Sequence, residues 1–138
     1  MSCLSDNFDP ALGPLSNVGV ASANTLTPGV TAANQVSAFA ALIDTGASIT
    51  CVSYSLAASV GLQPVGMRRM TSATHAVPVR TYTADLLLSF GSTDLVLPSV
   101  RVMEFNPHGN PFQMLLGRDI LCQGVFTMSF DGHFTFSL

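Results

Sequence analysis

The chain has 138 residues, enough for one compact domain and too few for two. Only 9% of its residues are charged, against the roughly 25% usual in soluble domains, while 48% are hydrophobic. That balance excludes a disordered chain and points to apolar surface covered by a partner. A net charge of -3, no lysine and five scattered arginines leave no basic stripe and argue against nucleic-acid binding. The longest mainly apolar stretches, 37–43 and 83–90, fall far short of the ~20 residues of a spanning helix, so no membrane contact is expected of this segment. Residues 1–15 have neither the basic region nor the apolar run of a secretory signal. Cys3, Cys51 and Cys122 have no metal-ligand or redox spacing and read as plain thiols in a reducing compartment. A cytoplasmic location is therefore expected, unless the chain is released from a larger or membrane-anchored precursor.

Short runs of β-branched and aromatic residues separated by Gly, Pro, Asn and Asp predict an all-β domain. Residues 1–15 carry Pro10, Gly13 and Pro14 and read as a flexible N-terminal arm, leaving 16–138 as the folded domain. A first strand is expected at 17–23, a turn at 25–31 through Pro28 and Gly29, and an apolar strand at 36–43 running into Asp44-Thr45-Gly46. A strand resumes at 49–52, and 53–61 is the clearest helix. Ser53 can cap it, Leu56, Ala57 and Val60 share a face, and Gly61 sits where a left-handed stop is wanted. Extended stretches at 68–73 and 77–90 flank Thr74-His75-Ala76 as a hairpin, and 95–105 forms another strand interrupted by Pro98. Residues 106–111 form a loop, 114–116 a short buried strand, and 118–123 a helical turn or two. The chain closes on a hairpin of 126–130 and 133–138 about Asp131-Gly132, with Phe126, Met128 and Phe130 on one face and Phe134, Phe136 and Leu138 on the other strand's apolar face.

The chemistry lies in the string Ala41-Leu42-Ile43-Asp44-Thr45-Gly46-Ala47-Ser48. A carboxylate set at a tight turn beside an apolar strand is costly unless paired or used. A bare Asp-Thr-Gly recurs by chance, and most often its Asp only caps a backbone amide in a turn. Here a second string, Met114-Leu115-Leu116-Gly117-Arg118-Asp119, follows about 70 residues later. Together they resemble the retropepsin family of retroviral-type aspartic proteases, in which Asp-Thr-Gly-Ala is followed, after a flap, by two apolar residues, Gly, Arg and a short helix. The order of parts is similar too, and the resemblance covers roughly 36–138.

The resemblance implies a single-domain acid-protease barrel with a flap hairpin and one or two short helices, working as an obligate homodimer on a peptide or protein substrate. It implies no cofactor and no metal. Asp44 is then the catalytic residue, one from each chain. Thr45 hydrogen-bonds across the dimer, and Gly46 permits the turn and close backbone approach. Ala47 and Ser48, with Ala73, Thr74, His75 and Ala76 of the flap, contact substrate, while Gly117 and Arg118 are structural. Pepsin-like enzymes usually carry Ser where this chain has Ala47. The missing hydroxyl removes a donor to the anionic carboxylate, which predicts an activity optimum at mildly rather than strongly acidic pH.

Two departures stand out. Retroviral enzymes generally have Asp where this chain has Ser48, so the partner of Arg118 is open between a backbone carbonyl, Asp119 and another acid. Their flap tips are glycine-rich, whereas 70–77 contains no glycine. His75, His108 and His133 read as exposed turn, loop and strand residues rather than catalytic groups. The terminal hairpin either closes the core of its own subunit or, as the resemblance implies, gives 133–138 to the dimer sheet. The rival functional readings are a catalytically silent module of the same fold that binds a peptide or partner, and a structural coat or scaffold domain. The intact Asp44-Thr45-Gly46 argues against the first, and the placement of Gly117-Arg118 against the second.

Overall fold

A computed structural model describes residues 3–29, 35–71, 74–91 and 93–138. The strands are β1 (Cys3–Asn7), β2 (Leu15–Ser22), β3 (Ala38–Ile43), β4 (Cys51–Ser53), β5 (Pro64–Thr71), β6 (Ala76–Phe90), β7 (Thr93–Phe105), β8 (Met114–Leu116), β9 (Val125–Met128) and β10 (His133–Ser137). Two short helices, α1 (Tyr54–Val60) and α2 (Arg118–Leu121), complete the fold. The larger sheet runs β2-β3-β8-β4-β7-β6-β5, and β2 also pairs with β6. Six strands therefore close into a barrel, and β5 hangs outside it, joined among the described residues only to β6. This is the expected all-β architecture with a flap hairpin and two short helices.

Barrel closure follows from the sequence of β6. Its 15 residues outlast any one neighbour, so β6 pairs with β5 near its start, with β7 along most of its length and with β2 at 84–88. Val18, Val20, Ala41, Ile43, Val52, Leu86, Leu88, Val102, Met114 and Leu116 fill the interior. α1 covers one end. The Ser53 hydroxyl accepts from the Leu56 N–H at 3.0 Å, Gly61 stops the helix at φ 80°, and Leu56 and Ala57 are buried. Each local signal in 53–61 is realised.

A smaller sheet, β1-β10-β9, covers the other end. Phe134 and Phe136 of β10 are fully buried, their rings 6.2–6.3 Å from Phe8, Phe126 and Phe90. Three details differ from the sequence reading. Cys3–Asn7, expected to be part of a loose arm, is a strand along β10. β7 runs unbroken through Pro98, with a shift of register opposite it at Ala84/Leu86 and Ser99 at φ 52°. The last hairpin has a three-residue loop, Phe130 to Gly132, closed by the Ser129 N–H on the His133 carbonyl at 2.8 Å, with Gly132 at φ 87°. Phe130 thus leaves the strand and its apolar face, where alternation had placed it.

Candidate active site

The parallel pair β3–β8 and the antiparallel pair β4–β8 set β8 between the two strands that flank the Asp44 loop. Ile43 lies opposite Leu116, so both strands end together, and the Asp44 N–H donates to the Leu116 carbonyl at 3.0 Å. The Arg118 N–H donates to the Ala47 carbonyl at 2.8 Å, and the Arg118 Nη1 to the Thr45 carbonyl at 2.7 Å. Of the partners left open for this guanidinium, a backbone carbonyl of the loop itself is the one it takes. Asp119 serves the far side of the loop. It accepts from the Thr50 N–H at 3.1 Å and the Thr50 hydroxyl at 2.8 Å, while that hydroxyl accepts from the Gly117 N–H at 3.1 Å. These bonds hold the loop to α2 without any carboxylate at position 48; Ser48 is exposed.

Gly117 is required by space. A Cβ there would stand 2.8 Å from the Ile49 carbonyl carbon and 3.0 Å from the Ala47 oxygen. Gly46 is required for a related reason. Its φ is not left-handed, but its N–H donates to Asp44 Oδ1 at 2.8 Å, and a Cβ would crowd that oxygen at 3.1 Å. Asp44 is half-buried, and among the described residues this is the one hydrogen bond its carboxylate receives, which leaves Oδ2 uncommitted. Thr45 is exposed, and its hydroxyl has no intrachain partner among the described residues.

Asp44, Gly46, Ala47 and Ser48 line one wall of a cleft of about 430 Å³, with Arg68, Arg69, Met70 and Thr71 of β5 opposite. Through Met70 and Leu115 the cleft adjoins a second hollow, about 800 Å³, walled by Tyr54, Val77, Pro78, Val79 and Phe105. Of the flap residues expected to meet substrate, Thr74, His75 and Ala76 are exposed at the hairpin end and line neither hollow, and Ala73 lies outside the described residues. The flap instead presents β5, not its turn, to the cleft. Cys51 also lines the cleft; burial, with the Asp119 and Asp44 carboxylates nearby, pushes its thiol up to about 12. Among the described residues no group of His, Cys, Asp and Glu side chains is arranged to hold a metal ion. Among the described residues no helix is long and apolar enough to cross a membrane.

The aspartyl protease family model matches residues 30–120, two thirds of the chain, and the protein belongs to that family. Its fold is that of the retropepsin-like enzymes. The crystal structure of a retropepsin-like aspartic protease from Rickettsia conorii superposes on it with a TM-score of 0.66, covering 97% of this chain and 89% of the other at 16% identity. No curated protein matches the sequence at a significant level.

Proposed function

We propose that the protein is an aspartic endopeptidase in which two copies of the chain each contribute Asp44. The observation that carries this reading is the Asp44 carboxylate itself. It stands at the edge of an open cleft on a loop fixed from both sides, with one oxygen free of internal bonds among the described residues. A fully buried structural carboxylate would have its acceptors occupied, whereas this half-buried one faces the cleft with only the Gly46 cap taken among the described residues.

With two such loops about a twofold axis, the carboxylates lie ~3 Å apart and hold one proton between them. A water seated against both gives its proton to the ionised oxygen as it attacks the scissile carbonyl carbon. The protonated carboxyl gives its own proton to the carbonyl oxygen. The tetrahedral diol then collapses: the C–N bond breaks, the amine nitrogen takes a proton from one carboxyl, and the other regains the shared one. No covalent enzyme intermediate forms. The substrate lies extended under β5, where backbone hydrogen bonds supply much of its binding. The apolar walls at Met70, Val77, Val79, Phe105 and Leu115 favour apolar side chains beside the cut.

The test is incubation of the purified protein with a broad peptide library across a pH series, beside Asp44→Asn. Cleavage by the parent that vanishes in the variant is the expected result. A folded dimer that leaves every peptide intact would return the chain to the class of peptide-binding modules.

A further inference from the structure

The chain has no lysine, so its five arginines are its only fixed side-chain cations. Two of them are engaged within the chain. Arg80 pairs with Glu104 at 3.6 Å, and Arg118 donates to the Thr45 carbonyl at 2.7 Å. The other three, Arg68, Arg69 and Arg101, are exposed and have neither an ion pair nor a hydrogen bond among the described residues. Arg68 and Arg69 line the Asp44 cleft. Arg68 also walls, with Arg101, a hollow of about 310 Å³ that adjoins the cleft through Ile49 and Arg68 itself. Unpaired positive charge is thus gathered on one side of the cleft, in a chain whose net charge is -3.

Little beside these groups cancels that charge. Among the described residues Asp44 is the one carboxylate that lines the cleft, and Ser48 brings none to its wall. Asp119 lines the neighbouring hollow, but its oxygens already accept from the Thr50 N–H and hydroxyl and from the Ile120 N–H. Guanidiniums that share a hollow repel one another, and an arriving anion relieves that repulsion. Strand geometry says which part of a substrate can bring it. Residues 68 and 70 of β5 fall on one face, about 7 Å apart along the strand. Met70 borders the apolar hollow of Val77, Val79 and Phe105, while Arg68 borders the hollow of Arg101. A peptide lying extended beside β5 has the same repeat, so side chains two residues apart meet the two hollows in turn.

We infer that Arg68 and Arg101 form a subsite for a carboxylate side chain of the substrate, which rests on the peptidase reading above. The peptides recognised then carry Glu or Asp two residues from an apolar residue seated in the Met70 hollow. A guanidinium fork takes a carboxylate through two parallel N–H···O bonds, and Arg69 adds to the field that draws an acidic segment in.

The test is a set of labelled peptides with an apolar centre and Glu, Gln or Lys placed in turn at each flanking position. Cleavage is read as kcat/KM for the full chain, for Arg68→Gln, for Arg101→Gln and for the double reversal Arg68→Glu with Arg101→Glu. At one position the parent should favour Glu over Gln about 10-fold, as for a hydrogen-bonded charge pair, and less as salt is raised. Each Gln variant should bring that ratio toward one, and the double reversal should favour Lys. Damage to the fold would slow all three peptides together and could not invert their order. A parent with no preference for Glu at any position, or a preference that survives the double reversal, overturns the subsite while Asp44-dependent cleavage stands. If no peptide is cleaved, the peptidase reading falls and fluorescence anisotropy of the same peptides on the same proteins decides the subsite. Tighter binding of Glu than Gln that depends on Arg68 upholds it, and equal affinities overturn it.

Discussion

Asp85 sits at the register shift in β6, fully buried, and receives the N–H groups of Thr25 and Leu26 on one oxygen and of Ser99 on the other, all at 2.9–3.0 Å. Asp44, at the end of β3, is half-buried and, among the described residues, receives only the Gly46 N–H. Both are carboxylates set beside apolar strands. The difference is in what surrounds them. Asp85 ties the turn after β2 to the middle of β7, and its acceptors are used up in doing so. Around Asp44 the binding is done by neighbours: Arg118 grips the Thr45 carbonyl and Asp119 grips Thr50, so the carboxylate is positioned by its backbone and left chemically unspent. A buried or half-buried acid is therefore best judged by the bonds it lacks.

The sharpest way to break this contrast is to neutralise each acid in turn. Asp44→Asn should lower kcat/KM for a cleaved peptide by roughly 10³-fold or more, with urea unfolding close to that of the parent. A variant with ordinary turnover would make Asp44 a turn residue like any other. Asp85→Asn should do the reverse, costing about 2–3 kcal/mol in urea unfolding because charge-assisted bonds to buried amides are lost. Cleavage per folded molecule should survive.

Acid titration sharpens the same pair. Burial opposes the charge on Asp85, but the backbone N–H groups of Leu26, Ser99, Asn24 and Thr25 more than offset it and hold the carboxyl below its ordinary value of 3.8. The stabilisation is thus complete above that value and is lost as pH falls through the lower, folded-state value. The parent should lose stability on acidification below about 3.8, and Asp85→Asn should lose less over the same range. Equal slopes would show that the amide cluster does not favour the charged form.

Thr50→Val probes the support around Asp44. It keeps the volume but strands the Gly117 N–H and removes one donor to Asp119, at a cost of about 1–2 kcal/mol. Turnover should fall more than KM rises, because the loop shifts while the cleft walls stay. A variant that unfolds more easily yet turns over normally would mean that the clamp serves the fold alone. The smallest effect concerns thiols. Cys3 and Cys122 are exposed and should be alkylated readily near pH 8, whereas buried Cys51, its thiol raised to about 12, should react only after unfolding.

Much of this was legible in local pattern. The α1 caps, the strand-loop-strand about Asp44 and the Gly117-Arg118 turn each depend on residues adjacent in sequence, and the structure places them as their chemistry predicts. What escaped depends on distant partners. Nothing near Asp85 announces that amides from 24–26 and 99 converge on it. Asp131-Gly132 suits both a two-residue turn and the end of a three-residue loop, and that one-residue difference moves Phe130 from a strand face into solvent. The flap's local signal lies in its turn, while its strand β5 lines the cleft. β1 was hidden because its pairing with β10 spans nearly the whole chain.

The clamp between Thr50 and Asp119 also has a consequence in time. Its two ends are 69 residues apart, and the Asp44 loop takes its bonds from Leu116 and Arg118 as well. Contacts of such separation form late, after the intervening chain has been ordered. A ribosome must release the segment past α2 before the loop has anything to lean on. A growing chain therefore carries Asp44 without its supporting bonds until residues 116–119 have followed it.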